Sequence, residues 1–557
     1  MSYRRDGPGS FRYDGKLLPF LEKHFRLLTA VPILLMAGLQ VGSILQESAT
    51  FDEAVHLAAG YRYWKIRKFN MNVEHPPLQK LLSAAPLLWV GPPIPTDEKL
   101  LIDQSEYARV FIYEGPMDAE RLLLLGRLPT ILLTLLLVVS VAWAGRKYFG
   151  APVALAAVWL CALDPNLIAH GRYVTNDVAS TLFYFLTVVL WVNYLQAPSW
   201  RRAVWAGLAL GLALATKFSM LLLPPVLLLI LGLQCRSRRA AARGLAALLL
   251  VCALGVCVLL ASYGPESWRA IRGRTIDANP ETIQGVVLPP HNYFTGVRTL
   301  MEHNSSGHAS FLLGEMSDKG WWYYFPVVFT VKSTTALLAL AVLAAGLAVW
   351  RWRRLPGDLP WLALLVAPLA YFGVTMTSHI NLGVRHLLPV YPFLYLLGAA
   401  VLWRVLTTRS FQIAALSIVV AQAGETLAVY PNFLGFFNVP AGGAKAGPTY
   451  LLDSNVDWGQ DLKKLKVYMD KTRPGKVCLE YFGSALPKYY GIEYEYLPRT
   501  WDKDELERMD CIGAISVTLW RDLYIRPGSF AWLRQRTPMG VVGSSIYLFD
   551  LRKQPQP

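Results

Sequence analysis

Charged residues are scarce in this sequence. They make up 17% of its 557 residues, whereas hydrophobic residues make up 54%. Because an average soluble domain has about 25% charged residues, this balance argues against several soluble domains and favours an integral membrane protein. Three motifs are absent as well: a Walker loop, a dinucleotide fingerprint and a Cys/His spacing diagnostic of a metal. A soluble nucleotide donor is therefore unsupported.

Cysteine is also scarce, with six residues in the chain. By the topology that the charges favour, only Cys478 and Cys511 lie in an oxidising compartment, where a disulfide persists. Their spacing does not show that their backbones approach each other, so pairing stays open at this point. The other four fall in apolar spans or in a cytoplasmic turn: Cys161, Cys235, Cys252 and Cys257.

Long apolar runs are what the chain has in abundance. Each is near the roughly 20 residues needed to cross a bilayer core. We count about eleven of them, which predicts a mainly α-helical, polytopic membrane protein. The runs are 25–46, 121–145, 152–169, 174–196, 200–216, 218–234, 242–263, 326–350, 359–378, 386–404 and 410–430.

Basic residues cluster in alternate connections between these runs, which is the positive-inside pattern. This placement accounts for the net charge of +16 without nucleic acid. It predicts a multi-pass protein of the plasma (inner) membrane with a cytoplasmic N-terminus, a first span retained as an anchor, and an external C-terminus. The cations on the predicted cytoplasmic side are Arg4, Arg5, Lys16, Lys23, Arg26, Arg146, Lys147, Arg201, Arg202, Arg236, Arg238, Arg239, Arg243, Arg351, Arg353, Arg354, Arg404 and Arg409.

Three segments are too long and too polar to be turns, and the predicted topology places all of them outside: 47–120, 264–325 and 431–557. Function is expected there. The last segment alternates strand-like and helical stretches, which predicts a small external α/β domain after a transmembrane domain of residues 1–430. Its strand-like runs are 476–482, 511–520 and 544–551.

An acidic pair, Asp52-Glu53, follows the first apolar run and opens a predicted helix over 51–66. Adjacent side chains on a helix point about 100° apart, so the two acids do not aim at one reacting atom. Thr50 and Glu53 also fit a capping box, which gives Glu53 a structural interpretation. Asp52 is the stronger catalytic candidate, and His56 lies on the same helix face, where it orients the carboxylate or simply pairs with it.

Cations in short external turns are exceptions to the positive-inside bias. Lys217 and the pair Arg385-His386 are such exceptions, and they indicate an anion at the outer headgroup level, such as a lipid phosphate. Asp177 falls on the same side, where it either joins the site or caps a helix. Arg298 lies in a stretch of the second external segment that is rich in His, Asn and Arg.

Glu74-His75 precedes two prolines in the first external segment. The prolines fix an extended backbone, which holds two polar side chains in place at a low entropic cost. The alternative is an ordinary loop that ends at a proline. Neither interpretation is excluded by this segment alone.

The order and placement of several short motifs, from about residue 25 to residue 470, resemble bacterial members of the protein O-mannosyltransferase-like glycosyltransferases. These are lipid-carrier-dependent enzymes of the C-type membrane fold, a group that includes the transferase that adds aminoarabinose to lipid A. The motifs are the first-loop Asp-Glu, EHPPL, the DP…HG…T.D connection, TKF, GWWYYFP, NLGVRHLLP and LLDSNVDWGQDL.

The resemblance implies that a sugar moves from a polyprenyl-phosphate carrier to a hydroxyl acceptor, with inversion, in a cavity that faces outside. Asp52, with Glu53 beside it, matches the family's first-loop acid, the general base that takes the acceptor proton. His75 departs from the aminoarabinose relatives, which carry Lys there. Donor phosphate or sugar is expected at Glu74, His75, Asp177, Lys217, Arg298, Arg385 and His386.

Two other functions use similar features. A transporter or flippase of lipid-linked sugars would place charges near the membrane midplane, whereas Arg127 and Glu425 lie toward the external ends of their runs. An oligosaccharide ligase would use the same site with a larger cavity. The acceptor stays open among protein, lipid and glycan. The sequence indicates no certain cofactor, although a divalent cation could join Asp52 and a second acid.

Overall fold

The computed structural model describes residues 17–97, 100, 102–234, 237–264, 291–350, 358–499 and 509–552. Most of this chain is α-helical, as predicted. Several predicted features lie outside the described residues: Arg4, Arg5, Lys16, Cys235, Arg236, Arg351, Arg353, Arg354 and part of the external segment 264–325.

We number the helices in chain order. The apolar helices of the membrane part are α2 (Phe25–Ile44), α7 (Ala119–Phe149), α8 (Ala151–Ala162), α10 (Asp177–Gln196), α11 (Trp200–Leu214), α12 (Leu223–Gln234), α13 (Arg238–Tyr263), α15 (Tyr324–Lys332), α16 (Thr335–Trp350), α17 (Leu359–Thr375), α18 (Tyr391–Val405) and α19 (Thr408–Ala428). The remaining helices are α1 (Leu17–Lys23), α3 (Glu53–Ile66), α4 (Leu78–Ala84), α5 (Leu87–Val90), α6 (Gln104–Arg109), α9 (Pro165–His170), α14 (His291–Ser306), α20 (Gly443–Tyr450), α21 (Leu462–Thr472), α22 (Val517–Trp520) and α23 (Ala531–Arg534).

Apolar helices occupy all eleven predicted runs. By length and composition, six helices of the described chain are suited to cross a membrane, or seven if a bent pair counts as one span. Several of the others are shorter than the roughly 20 residues that a straight crossing needs. A multi-pass membrane protein is confirmed, whereas the count of about eleven spans stays a prediction.

The run 326–350, predicted as one span, is broken. Helices α15 and α16 meet at an angle of 114°. The polar groups at this break are satisfied within the protein, as a low-dielectric setting requires. Ser333 Oγ lies 2.9 Å from the Tyr391 hydroxyl, and the Thr335 N–H donates to Glu425 Oε2 at 2.8 Å.

Small residues let α11 and α13 pack closely. Gly207 and Gly211 are four residues apart and face α13, and a Cβ atom on Gly211 would lie 2.4 Å from the Val258 Cβ. This spacing resembles the small-xxx-small packing of membrane helices. The backbones approach because Gly207 and Gly211 add no side-chain volume at this contact.

A five-stranded mixed sheet forms in the C-terminal segment, which confirms its α/β character. Its order is β4-β3-β5-β7-β6, with β4, β3 and β5 parallel and β5, β7 and β6 antiparallel. The strands of the described chain are β1 (Ser310–Leu312), β2 (Glu315–Ser317), β3 (Val477–Glu480), β4 (Glu495–Tyr496), β5 (Ile512–Ser516), β6 (Gly540–Val542) and β7 (Ile546–Asp550). The placement of this segment outside the membrane stays a prediction.

Two details of this segment add to the sequence interpretation. Cys478 on β3 and Cys511 beside β5 form a disulfide, since pairing of the two parallel strands brings their Cα atoms to 5.9 Å. The strand-like run 511–520 is only half strand: after Ser516 the chain turns into helix α22. Periodicity alone does not separate a short buried strand from a short buried helix.

Candidate active site

One cavity of about 570 Å³ brings together most of the predicted site residues. Its walls come from segments far apart in the chain, all of them predicted to be external or at the external ends of spans. Seven of the nine predicted residues line it: Asp52, Glu74, His75, Asp177, Lys217, Arg385 and His386. Two described residues, Glu53 and Arg298, are not among its lining residues.

Asp52 lies immediately before helix α3, which begins at Glu53. Its side chain is 27% exposed, and Oδ2 lies 3.0 Å from Nη1 of Arg385. The Arg385 guanidinium packs over the Trp458 ring, 4.5 Å from the ring centroid. An acid that opens onto the cavity therefore meets a cation that is held flat against an aromatic face.

Glu53 is fully buried, unlike its neighbour. Arg127 donates to both carboxylate oxygens, from Nε at 2.8 Å and Nη2 at 2.7 Å, and the N–H groups of Thr50 and Val174 donate to them as well. Burial alone would raise the pKa of Glu53, but the charge and hydrogen bonds of Arg127 outweigh it and hold the pKa below its usual value. Glu53 thus links the first loop to the backbone of Val174 and holds the loop in place.

The predicted capping box is only half present. Glu53 accepts from the Thr50 N–H at 2.8 Å, as the box requires. However, helix α3 begins at Glu53 and not after Thr50, so Thr50 does not cap it. The loop is held by the buried ion pair instead.

A second ion pair lies across the cavity. Lys217 Nζ donates to Asp177 Oδ1 at 2.7 Å, and Asp177, the first residue of α10, is almost fully buried. Two buried polar atoms of the cavity residues have no hydrogen-bond partner among the described residues: Asp177 Oδ2 and Arg385 Nε. Unsatisfied buried groups are rare and often mark places where a ligand or water binds.

Histidines line the wall between the two ion pairs. The rings of His56 and His75 lie 5.4 Å apart, edge to face, and His56 Nδ1–H donates to the Val174 carbonyl at 2.8 Å. Burial lowers the pKa of both His56 and His75, so each is neutral at pH 7. His386 lines the same cavity, and its ring stacks on Phe325 at 6.1 Å.

Arg298 lies apart from this cluster. It is on helix α14, its side chain is 57% exposed, and its Nε donates to Glu302 Oε1 at 2.7 Å, four residues on. An exposed pair at this spacing is typical of a helix surface. The donor-binding role predicted for Arg298 has no geometric support in the cavity.

Lys80 contributes to the site, although the sequence interpretation did not single it out. Its buried ammonium donates to the carbonyls of Asn72 and His75, at 2.6 and 2.8 Å. Burial lowers the pKa of Lys80 to about 7. Lys80 thereby fixes the loop that carries Glu74 and His75. A lysine, the one charged residue in the mostly apolar stretch 78–90, was the signal that could have revealed it.

The motif LLDSNVDWGQDL, in the C-terminal segment, supports the site. The Asn455 carboxamide oxygen accepts from the Val384 N–H at 3.0 Å, next to Arg385. The Trp458 carbonyl accepts from the Phe51 N–H at 2.8 Å, next to Asp52. One short segment therefore positions both members of the Asp52–Arg385 pair.

Lys332 anchors this motif to the broken helix. Its Nζ, fully buried at the end of α15, donates to the carbonyls of Leu434 and Asn455, at 2.9 and 2.7 Å. It also lies 4.5 Å from the centroid of the Phe437 ring. The break after α15 thus places a cation where two carbonyl groups converge.

No group of three or more His, Cys, Asp or Glu side chains that could hold a metal ion occurs in the described ranges. Two of the three cavity acids also have a protein cation as their neighbour: Asp52 has Arg385 and Asp177 has Lys217. The residues present therefore do not fit a metal site without rearrangement, and we derive no step through one.

Comparisons with known proteins agree with this architecture. Residues 123–262 match the model of the dolichyl-phosphate-mannose-protein mannosyltransferase family. ArnT from Cupriavidus metallidurans, solved bound to undecaprenyl phosphate, is 15% identical, with a TM-score of 0.50 over 96% of this chain and 99% of that chain. The fold is a C-type glycosyltransferase fold. The predicted resemblance is thereby confirmed, and the match to the family model supports the predicted glycosyltransferase class.

Two further solved structures are similar to this chain. The apo state of the same ArnT gives a TM-score of 0.50 at 15% identity, covering 96% of this chain and 100% of that chain. An Archaeoglobus fulgidus oligosaccharyltransferase gives 0.47 at 13% identity, covering 78% of this chain and 57% of that chain. No curated protein matches the sequence.

Proposed function

We propose that this glycosyltransferase moves a sugar from a polyprenyl-phosphate carrier to a hydroxyl acceptor at the external face of the plasma (inner) membrane. The observation that carries the proposal is that one cavity holds both an accessible acid, Asp52, and two cations, Lys217 and Arg385. The acid can accept a proton from the acceptor hydroxyl, and the cations can stabilise the negative charge on a phosphate leaving group. ArnT, which shares the fold, was solved with undecaprenyl phosphate bound.

The reaction follows from these roles. The acceptor hydroxyl loses its proton to Asp52, and its oxygen attacks the anomeric carbon from the face opposite the phosphate. The bond between this carbon and the phosphate oxygen breaks, so that the configuration inverts. The charge that grows on the phosphate is stabilised by Lys217 and Arg385.

Arg385 links the two halves of this mechanism. It pairs with Asp52 at 3.0 Å and has a second buried nitrogen, Nε, without a partner in the described part of the chain. A guanidinium can bind two oxygens at once, which a lysine cannot do with the same geometry. We infer that an oxygen of the donor phosphate accepts a hydrogen bond from Arg385 Nε–H. Asp52 then becomes free to receive the acceptor proton.

The test is transfer in proteoliposomes that contain labelled polyprenyl-phosphate sugar and an extract of envelope acceptors. We expect Asp52→Asn to lower the transfer rate by about 100-fold or more, which is the usual contribution of a general base. Glu315→Gln, an exposed acid on β2, is the matched control and should transfer at the wild-type rate.

Three results decide the outcome. Wild-type transfer by the Asp52→Asn variant would exclude Asp52 as the base. Retention of the anomeric configuration in the product, measured by NMR, would exclude the single displacement. Labelled carrier that changes leaflet without forming a product would indicate a transporter instead.

A further inference from the structure

Three aromatic rings form a near-parallel stack beside Asp52. The ring centroids of Phe51 and Phe482 are 5.2 Å apart with planes 16° apart, and those of Phe482 and Tyr524 are 5.5 Å apart with planes 21° apart. Phe51 immediately precedes Asp52, whereas Phe482 and Tyr524 come from the C-terminal segment. We call Phe51, Phe482 and Tyr524 the aromatic stack.

This stack is accessible. Phe51 is 43% exposed and Tyr524 is 37% exposed. Large aromatic rings usually bury most of their surface, so a group of accessible rings next to a cavity indicates a binding surface. Its position also links the two parts of the chain, because the ring of the first loop stacks on rings of the C-terminal segment.

A line of polar groups runs along one edge of the stack. The Tyr524 hydroxyl donates to Asp453 Oδ2 at 2.5 Å and lies 3.1 Å from His308 Nε2. His308 Nδ1 in turn lies 3.0 Å from His303 Nε2. His303 and His308 both line the cavity that contains Asp52. The aromatic stack therefore adjoins the proposed catalytic acid.

The proton positions along this line follow from its geometry. Because the Tyr524 hydroxyl donates to Asp453, His308 Nε2–H donates to the hydroxyl oxygen, and His308 Nδ1 accepts from His303 Nε2–H. Burial also lowers the pKa of His308, which agrees with a neutral ring. The edge presents both donors and acceptors, as a ligand with hydroxyl groups requires.

We propose that the aromatic stack and its polar edge bind a pyranose ring, so that the hydroxyl acceptor of this enzyme is a carbohydrate. The inference rests on the proposed function, since it names the acceptor class of the same site. A pyranose has an apolar face of C–H bonds that covers an aromatic ring and a rim of hydroxyls that pair with groups such as His303 and Asp453. A serine or threonine side chain has no such face.

The arrangement also orients the acceptor for reaction. A sugar on Phe51 lies one residue from Asp52, so one of its hydroxyls reaches the carboxylate while the others pair with the polar edge. That hydroxyl gives its proton to Asp52 and its oxygen forms the new glycosidic bond. Ring and edge contacts hold the oxygen in place, which is the positioning that a displacement reaction needs.

The experiment measures acceptor binding with the full chain in lipid nanodiscs. Saturation-transfer NMR follows methyl α-D-mannopyranoside and methyl β-D-glucopyranoside as probes. Because one aromatic contact contributes about 0.5–1.5 kcal/mol, we expect Phe51→Ala to weaken binding of at least one probe about threefold to tenfold and Phe51→Tyr to retain it. Tyr496→Ala removes an aromatic residue of the same segment, 77% exposed, and is the matched control.

The readouts separate this inference from the proposed function. Absence of glycoside binding to the wild-type chain, or equal binding by wild type and Phe51→Ala, would overturn the carbohydrate assignment. Displacement of the glycoside by a Ser/Thr peptide whose own binding needs Phe51 would reassign the stack to protein acceptors. Donor consumption by the wild-type chain is measured separately, and its failure would count against the transferase mechanism itself.

Discussion

At the scale of single residues, the neighbouring acids Asp52 and Glu53 have opposite environments. Asp52 opens onto the cavity, whereas Glu53 is enclosed by Arg127 and the backbone of Val174. The separation follows from the start of a helix between them, because consecutive side chains diverge by about 100°. One of the two is therefore available for chemistry, and the other holds the loop in place.

This contrast predicts different outcomes for two similar substitutions. Glu53→Gln leaves the buried Arg127 without its counter-charge, so we expect a loss of about 3–5 kcal/mol in the free energy of unfolding. Asp52→Asn, at a side chain that is 27% exposed, should lose less. Unfolding in detergent micelles measures both. A Glu53→Gln variant that keeps its stability but loses transfer activity would indicate that Glu53 has a catalytic role.

Asp457 predicts a dependence of stability on pH. Burial raises its pKa from the usual 3.8 to about 7. Between about pH 4 and 7 the folded state holds a proton that the unfolded state releases, so the free energy of unfolding should fall as pH rises through this window. Asp457→Asn removes the titrating group and should flatten this slope.

The measurement for Asp457 is the apparent Tm at several pH values from 4.5 to 8. The slope is compared, not the absolute Tm, because asparagine also changes the hydrogen bond that Oδ2 accepts from the Thr518 N–H. Glu315→Gln is again the control. Equal slopes for Asp457→Asn and wild type would contradict a raised pKa.

At the scale of elements, the turn over Val384–Val390 controls where Arg385 lies. Gly383 enters the turn with φ 134°, a conformation that other residues rarely adopt. A Cβ atom at this position would lie 2.7 Å from both terminal atoms of the Asn455 carboxamide. The backbone of the turn is thus fitted against the C-terminal segment without room for a methyl group.

We therefore expect Gly383→Ala to displace Arg385 and lower transfer by up to about 100-fold, the loss that a misplacement of about 1 Å can cause. Gly373→Ala is the matched control, because nothing lies within 4 Å of a Cβ atom there. Transfer assays in proteoliposomes measure both variants. Wild-type activity in Gly383→Ala would mean that the turn tolerates the shift or that Arg385 is not required.

The broken helix acts at the same scale. Lys332 at the end of α15 holds Asn455, and Asn455 holds the turn that carries Arg385. The sequence predicted an uninterrupted span here, because the composition of 326–350 is mostly apolar. The break is instead stabilised by polar partners from α18, α19 and the C-terminal segment, which no local pattern reveals.

At the scale of the whole molecule, the charge pattern predicts the orientation. Reporter fusions at the turn containing Arg146-Lys147 should behave as cytoplasmic, and a fusion after Asp550 should behave as external. Fluorescence of a green fluorescent protein fusion tests the cytoplasmic site at Arg146-Lys147, and activity of an alkaline phosphatase fusion tests the external site after Asp550. The reverse result would place the cavity on the cytoplasmic side and contradict the proposed use of an externally displayed carrier lipid.

The sequence by itself predicted the membrane class of the protein and most of the residues that line the candidate site. Local composition reveals apolar runs of membrane length, cations in alternate connections, and cations in external turns, where the positive-inside bias disfavours them. Asp52, Lys217 and Arg385 could therefore be predicted from the sequence as residues of the candidate site. Only the tertiary structure decided which residues meet. It removed Arg298 from the cavity, enclosed Glu53, and brought Lys80 and the C-terminal motif to the site. These outcomes depend on contacts between residues tens to hundreds of positions apart, and on burial, which a local pattern does not encode.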